Sequence, residues 1–147
     1  MFKPLFSIFI PGQPKAVQSF RFTRKGRKYQ PKEVVEWKTY IKIMAMKELP
    51  DHFIRVDDRP LHVEYRFVYS PPKSMRKRDR AYMEQGIPVY KTTRPDLGDN
   101  LRKGLNDALT GVVWGDDSLI VSDKGEKVYG DEPGIHIEVS EYEYPEE

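Results

Sequence analysis

The chain has no cysteine, which rules out a disulfide scaffold and a thiolate zinc site. Long apolar runs are missing too. No stretch approaches the length that a membrane-spanning helix needs. The opening MFKPLFSIFIPGQPK is a poor signal peptide: its apolar stretch is short, it has no small-residue cleavage site, and Pro11 and Pro14 break it. A cytoplasmic protein with no membrane association is the expectation. Internal repeats and low-complexity segments are absent as well. Each end of the chain lacks charge of one sign. The first 32 residues hold eight Lys and Arg and no acid, whereas the last 17 hold seven acids and no Lys or Arg.

A length of 147 residues suits one compact domain. With 38% hydrophobic and 33% charged residues, the core is small and the surface is busy. Such a domain often gains from a partner subunit. The net charge of +2 conceals the polarity along the chain. A basic segment of that kind points to a polyanion, and nucleic acid is the usual one. A solvated loop that is basic by accident explains the charge alone equally well.

Hydrophobic periodicity places the elements. Residues 5–10, LFSIFI, read as a short buried strand. Residues 15–30 form a basic arm with Phe20, Phe22 and Tyr29 interleaved. A helix is expected from about Pro31 to Glu48, with Pro31 at its first position and Val34, Trp37, Ile41 and Met44 as one apolar stripe. Residues 61–69 alternate, with Leu61, Val63, Tyr65, Phe67 and Tyr69 on one face and His62, Glu64 and Arg66 on the other. SPPKSMRKRDRAYMEQG reads as a long loop or irregular arm. A second helix is expected from about Asn100 to Leu109. LIVS and IHIEVSEY read as two more strands, joined by a hydrophilic turn through Gly125 and Gly130. The order β, α, β, α, β, β predicts a single-domain, two-layer α/β fold: a mixed sheet of about four strands packed with two main helices.

RPDLGDNLRKGLNDAL, residues 94–109, carries the chemistry. Asp99 and Asn100 are both good helix caps, and a carboxylate is favoured at the positive end of a helix. Capping explains one acid. It does not explain Asp96, nor Lys103 one helical turn past Asp99, nor the two acids of WGDD at 114–117. Hard cations such as Mg²⁺ bind through a few carboxylates, keep several waters and add phosphate oxygens. A phosphodiester cutter uses such an ion to ionise water and to offset charge on the attacked phosphate. A nearby lysine stabilises the developing negative charge. The parts are present provided the fold brings 96–103 and 117 together.

PDLGDNLRKGLNDAL followed by VVWGDD resembles the RusA family of Holliday-junction resolvases. That family's pattern is an Asp, a spacer, Asp-Asn-Leu, two residues ending in the Lys, Asp-Ala-Leu, and an aromatic-x-Asp-Asp. IPGQP after the first strand, the basic arm ending near Tyr29 and the Trp-bearing helix fall in the expected order, so the resemblance covers most of the chain. It implies catalytic and metal-binding roles for Asp96, Asp99 and Asp117, and a catalytic role for Lys103. Asp116 is the less favoured of the adjacent pair, and a structural role is favoured for Asp107. It also implies a Mg²⁺-dependent homodimer, with Mn²⁺ as a substitute ion, that nicks branched DNA, four-way junctions above all, leaving 5′-phosphate ends.

One feature departs from the pattern. Many members have a single residue between the first two acids, which puts both on one side of an extended chain. Here Leu97 and Gly98 intervene. A bulge or left-handed backbone at Gly98 would restore the shared side.

The basic segments fit phosphate contacts: Arg21, Arg24, Lys25, Arg27 and Lys28 in the first, and Lys73, Arg76, Lys77 and Arg78 in the second. Phe20, Phe22 or Tyr29 would stack on exposed bases, or pack the arm onto the sheet. Two rival readings stand beside junction resolution. One is a nuclease of wider taste for branches and flaps in phage DNA. The other is a DNA-binding module without catalysis.

Overall fold

Side-chain alternation along residues 61–69 sets the centre of the molecule. In the computed structural model, which describes residues 1–16 and 21–146 and, of Arg21 and Phe22, the backbone only, strand β4 runs Leu61–Tyr69. Leu61, Val63, Tyr65, Phe67 and Tyr69 are buried against the helices, as the period-two pattern requires. Strand β1 (Phe2–Pro11) and strand β6 (Gly134–Tyr142) pair antiparallel, and β6 pairs antiparallel with β4. Strand β5 (Ile120–Tyr129) adds to β4 in parallel. The mixed sheet has the order β1-β6-β4-β5. The basic arm contributes a separate two-stranded ribbon, β2 (Arg21–Phe22) and β3 (Lys28–Tyr29).

Helix α1 (Lys32–Glu48) buries Val34, Trp37, Ile41 and Ala45, with Met44 packed at the edge of the core. Pro31 is the residue that precedes the first turn rather than its first member. Helix α3 (Lys103–Leu109) buries Leu105, Ala108 and Leu109 and packs on α1. Helices and sheet share one apolar layer that includes Ile8, Ile10, Ile137 and Trp114. The opposite sheet face carries Ser7, Glu64, Arg66, Lys124, Glu126, His136 and Glu138. The expected two-layer α/β fold is therefore observed, with a third helix. Among the described residues, no helix is long and apolar enough to cross a membrane.

Three elements differ from expectation, each for a physical reason. Residues 77–84, expected as loop, form helix α2 (Lys77–Glu84). It buries no residue, so it has no apolar stripe for periodicity to reveal. Strand β5 runs straight through the expected turn at Gly125, and the chain turns only from Gly130. LIVS marks its start, but from Asp123 onward its polar sequence gave no strand signal, because the helix-facing side there meets a short, partly polar segment rather than the core. The second helix begins three residues early, as a π-helical turn over Leu97–Arg102 that continues into α3.

Candidate active site

The π-helical turn is where the first two acids sit. Leu101 N–H donates to the Asp96 carbonyl at 3.2 Å, and Lys103 N–H reaches the Gly98 carbonyl. Both bonds span five residues, one more than an α-helical turn, and single π turns of this kind cluster at functional sites. The extra residue between Asp96 and Asp99 is thus absorbed by a wider helical turn, not by a bulge in an extended strand. Gly98 has no positive φ. A Cβ there would make only an ordinary contact, 3.4 Å from the Arg102 guanidinium, so the π-helical turn itself does not require glycine at this position.

The cap is Asp96, not Asp99 or Asn100. Its carboxylate makes no capping bond. The Asn100 side-chain oxygen reaches back instead and accepts from the Asp96 N–H at 3.3 Å, which is the returning half of a capping box without its forward half. Asp99 lies in the first turn, and both carboxylates are exposed. Helix capping therefore consumes neither acid. Lys103 follows at the start of α3, also exposed.

Asp117 is placed from the other side. Trp114 is fully buried, and its indole N–H donates to Thr110 Oγ1 at 3.0 Å. Thr110 Oγ1 in turn donates to the Asn106 carbonyl at 2.7 Å. Val56 clasps the same segment, accepting from Gly115 N–H and donating to the Val113 carbonyl, each at 2.9 Å. The chain then enters a 3₁₀ turn, Asp117–Leu119, that leads into β5. Asp116 caps that turn by accepting from Ser118 N–H at 2.9 Å, and this bond holds its carboxyl below the usual range. Of the adjacent pair, Asp116 thus has a structural occupation and Asp117 is exposed. Asp107 is neither buried nor a cap. It pairs with Lys38 of α1 at 3.7 Å and ties the two helices together.

Strand β5 connects the two halves. Asp123, Gly125 and Lys127 alternate along its helix-facing side. Arg102 Nη1 donates to Asp123 Oδ2 at 3.1 Å. Leu97 lies over Gly125, where a Cβ would meet its methyl groups at 3.4 and 3.5 Å. Lys127 Nζ donates to the Thr93 and Pro95 carbonyls, each at 2.8 Å. A cavity of about 220 Å³ opens beside this junction, lined by Asn106, Asp117, Ile120, Val121, Ser122 and Asp123. Asn106 is itself fixed by the Tyr65 hydroxyl, which donates to Asn106 Oδ1 at 2.5 Å.

The fold thus draws Asp117 into one cavity with Asn106 and Asp123, and fastens the turn bearing Asp96, Asp99 and Lys103 to the strand that Asp117 precedes. Asp96, Asp99 and Lys103 do not line that cavity. Among the described residues, no three His, Asp or Glu side chains converge into a closed metal-ligand group. The donor chemistry still suits a hard divalent cation, because Mg²⁺ is commonly held by one or two carboxylates plus water and substrate phosphate. Arg102, Asn106, Asp123 and Lys127 were not singled out from the sequence. The readable sign was a glycine at a strand-like spacing between Asp123 and Lys127, which often marks a close approach of another segment.

The basic segments are displayed on two scaffolds. Arg24, Lys25, Arg27 and Lys28 are exposed on the β2–β3 ribbon, whose turn is closed by Thr23 N–H to the Arg27 carbonyl at 2.8 Å and by left-handed Gly26. The Arg21 side chain, Phe20 and the Phe22 side chain lie outside the described residues. Tyr29 is exposed. Lys73, Arg76, Lys77 and Arg78 are exposed at and before the start of α2.

A two-layer α/β domain with uncapped carboxylates on a pinned turn, and with exposed cationic segments, is the kind of protein that handles a polyanionic chain. The family model described as Endodeoxyribonuclease RusA matches residues 11–140, and the chain belongs to that family of junction-resolving nucleases. It is also similar to the uncharacterized protein YqaN of Bacillus subtilis (strain 168), with 33% identity over 108 residues that span 71% of this chain and 72% of that protein.

Proposed function

We propose that this chain is a divalent-metal-dependent endonuclease that resolves four-way DNA junctions as a homodimer, by paired nicks that leave 5′-phosphate ends. The observation that carries this reading is the release of Asp96 and Asp99 from capping duty on a turn fastened to the strand next to Asp117. Asp96, Asp99 and Asp117 are the residues that would hold Mg²⁺ or Mn²⁺. Bound there, the ion supplies a nucleophilic water at neutral pH and offsets charge on the attacked phosphate. Lys103, one turn beyond Asp99, places a positive charge for the oxyanion that develops on the phosphate or on the leaving oxygen. Arg24, Lys25, Arg27 and Lys28, together with Lys73, Arg76, Lys77 and Arg78 and with Arg21, bind the phosphate backbone without reading bases. Two-fold symmetry suits paired cuts in opposed strands.

The test is cleavage of a synthetic four-way junction with Mg²⁺, with wild type run beside Asp99→Asn and Asp117→Asn. The expected result is symmetric nicking by wild type, and binding without cleavage by both variants. Binding without cleavage by wild type, in Mg²⁺ and in Mn²⁺, would remove the catalytic assignment. Rates on forks, flaps and linear duplex, compared with junctions, measure how strictly the enzyme prefers the four-way branch.

A further inference from the structure

We infer that Lys127 and the Arg102–Asp123 ion pair are positioning residues of the nuclease site, which hold the turn bearing Asp96, Asp99 and Lys103 in register with Asp117. This rests on the reading of those four residues as the catalytic set.

The geometry brackets the acids. Lys127 Nζ binds the carbonyls of Thr93 and Pro95, each at 2.8 Å, three residues and one residue before Asp96. Arg102 binds Asp123 at 3.1 Å, immediately before Lys103. Between the two ties, Leu97 rests on Gly125. The three β5 positions alternate, so one strand face presents a carboxylate, a gap and an ammonium to one passing segment. The approach is prepared upstream, where the Val89 carbonyl accepts from Tyr129 N–H at 2.9 Å and Lys91 N–H donates to the Lys127 carbonyl at 3.0 Å. The same strand opens directly from the 3₁₀ turn that begins at Asp117. A shift of the 93–102 segment along β5 therefore changes the distance from Asp99 and Lys103 to Asp117.

A structural role alone accounts poorly for this arrangement. Arg102 and Asp123 side chains are each about one-third exposed, at 32% and 33%, and partly exposed ion pairs add little to global stability. Core burial of the turn comes from Leu101, with help from Leu97, neither of which fixes register along β5. Catalysis is far more sensitive to register: a misplacement of about 1 Å costs on the order of 100-fold in rate.

The experiment compares Lys127→Met, Lys127→Arg, Asp123→Asn, the single variants Arg102→Asp and Asp123→Arg, and the swapped pair that combines those two, in the full chain. Single-turnover junction cleavage is followed across a Mg²⁺ titration, beside metal-free junction binding and thermal midpoint. Lys127→Met and Asp123→Asn are expected to cut at least about tenfold more slowly, with junction affinity and midpoint close to wild type. Lys127→Arg keeps two donors and is expected to recover much of the loss. The swapped pair is expected to exceed either of its single variants, the signature of a direct coupling. Wild-type rates in Lys127→Met and Asp123→Asn would overturn the inference, as would losses that merely follow unfolding. Hydrogen–deuterium exchange of residues 93–103 separates this result from the catalytic reading. Faster exchange there in Lys127→Met, with β4 unchanged, is expected whether or not the wild type cuts DNA. Unchanged exchange would sink the clamp by itself.

Discussion

The Tyr65 hydroxyl donates to the Asn106 side-chain oxygen at 2.5 Å, and so ties the sheet's β4 strand to the helix that follows the acidic turn. Asn106 also lines the cavity that contains Asp117. Tyr65→Phe keeps the ring and removes only this bond. It is expected to lower stability by roughly 1 kcal/mol, about 3 °C in Tm, as calorimetry would read it. A midpoint equal to wild type would mean that water replaces the hydroxyl at no cost.

The two buried tyrosines of β4 predict a loss of stability in alkali. Burial pushes the Tyr69 phenol up to about 12 and raises that of Tyr65 further. Unfolded tyrosines ionise near 10. The folded chain thus keeps protons that the unfolded chain releases. The contribution is fully present below about pH 10 and is lost as pH rises towards the folded values. Urea unfolding from pH 8 to pH 11.5 is expected to show a plateau and then a decline, and Tyr69→Phe is expected to shallow the decline. A decline of equal depth in that variant would assign the effect to other groups.

Asp116 and Asp117 are adjacent but have different occupations. Asp116 caps the 3₁₀ turn through Ser118 N–H, a task that Asn or Ser performs nearly as well. Asp116→Asn is therefore expected to retain cleavage within about threefold of wild type, whereas Asp117→Asn abolishes it. Equal loss in both, in a junction-cleavage assay, would move the catalytic role onto the pair as a unit.

Gly125 sets secondary structure against packing. Valine is a better strand residue than glycine, so local preference favours Gly125→Val. A Cβ alone would make ordinary contacts, 3.4 and 3.5 Å from the Leu97 methyls and 3.5 Å from the Arg102 chain. The two methyls that valine adds beyond Cβ reach into that filled space and are expected to push the acidic turn away from β5. Cleavage is expected to fall by on the order of 100-fold while metal-free junction binding persists. Full activity in this variant would show that the turn tolerates displacement.

The β2–β3 ribbon exposes Arg24, Lys25 and Arg27 at its turn. Replacing each with Ala is expected to weaken binding to all junction sequences alike and to reduce the salt slope of log K by about one per lost phosphate contact. A sequence-dependent change would point to base contacts instead.

The alternation of residues 61–69, the stripe of α1 and the spacing of Asp96, Asp99, Lys103 and Asp117 were all legible in the chain. Each is a short-range pattern: burial imposes a period of two or 3.6, and chemistry demands residue types at fixed steps. Helix α2 was hidden because a helix that buries nothing leaves no period. The course of β5 was hidden because Asp123, Gly125 and Lys127 face a neighbouring segment through polar contacts. Those contacts join residues 21 to 34 positions apart in the chain. By itself the sequence determined which acids and which lysine are available. Only the tertiary structure decided that a π-helical turn absorbs the extra residue at Gly98, that Asp96 is the cap with its carboxylate unspent, and that β5 joins the two segments of the proposed site. Such outcomes depend on which backbone groups find partners across the fold, and pattern along the chain does not record that.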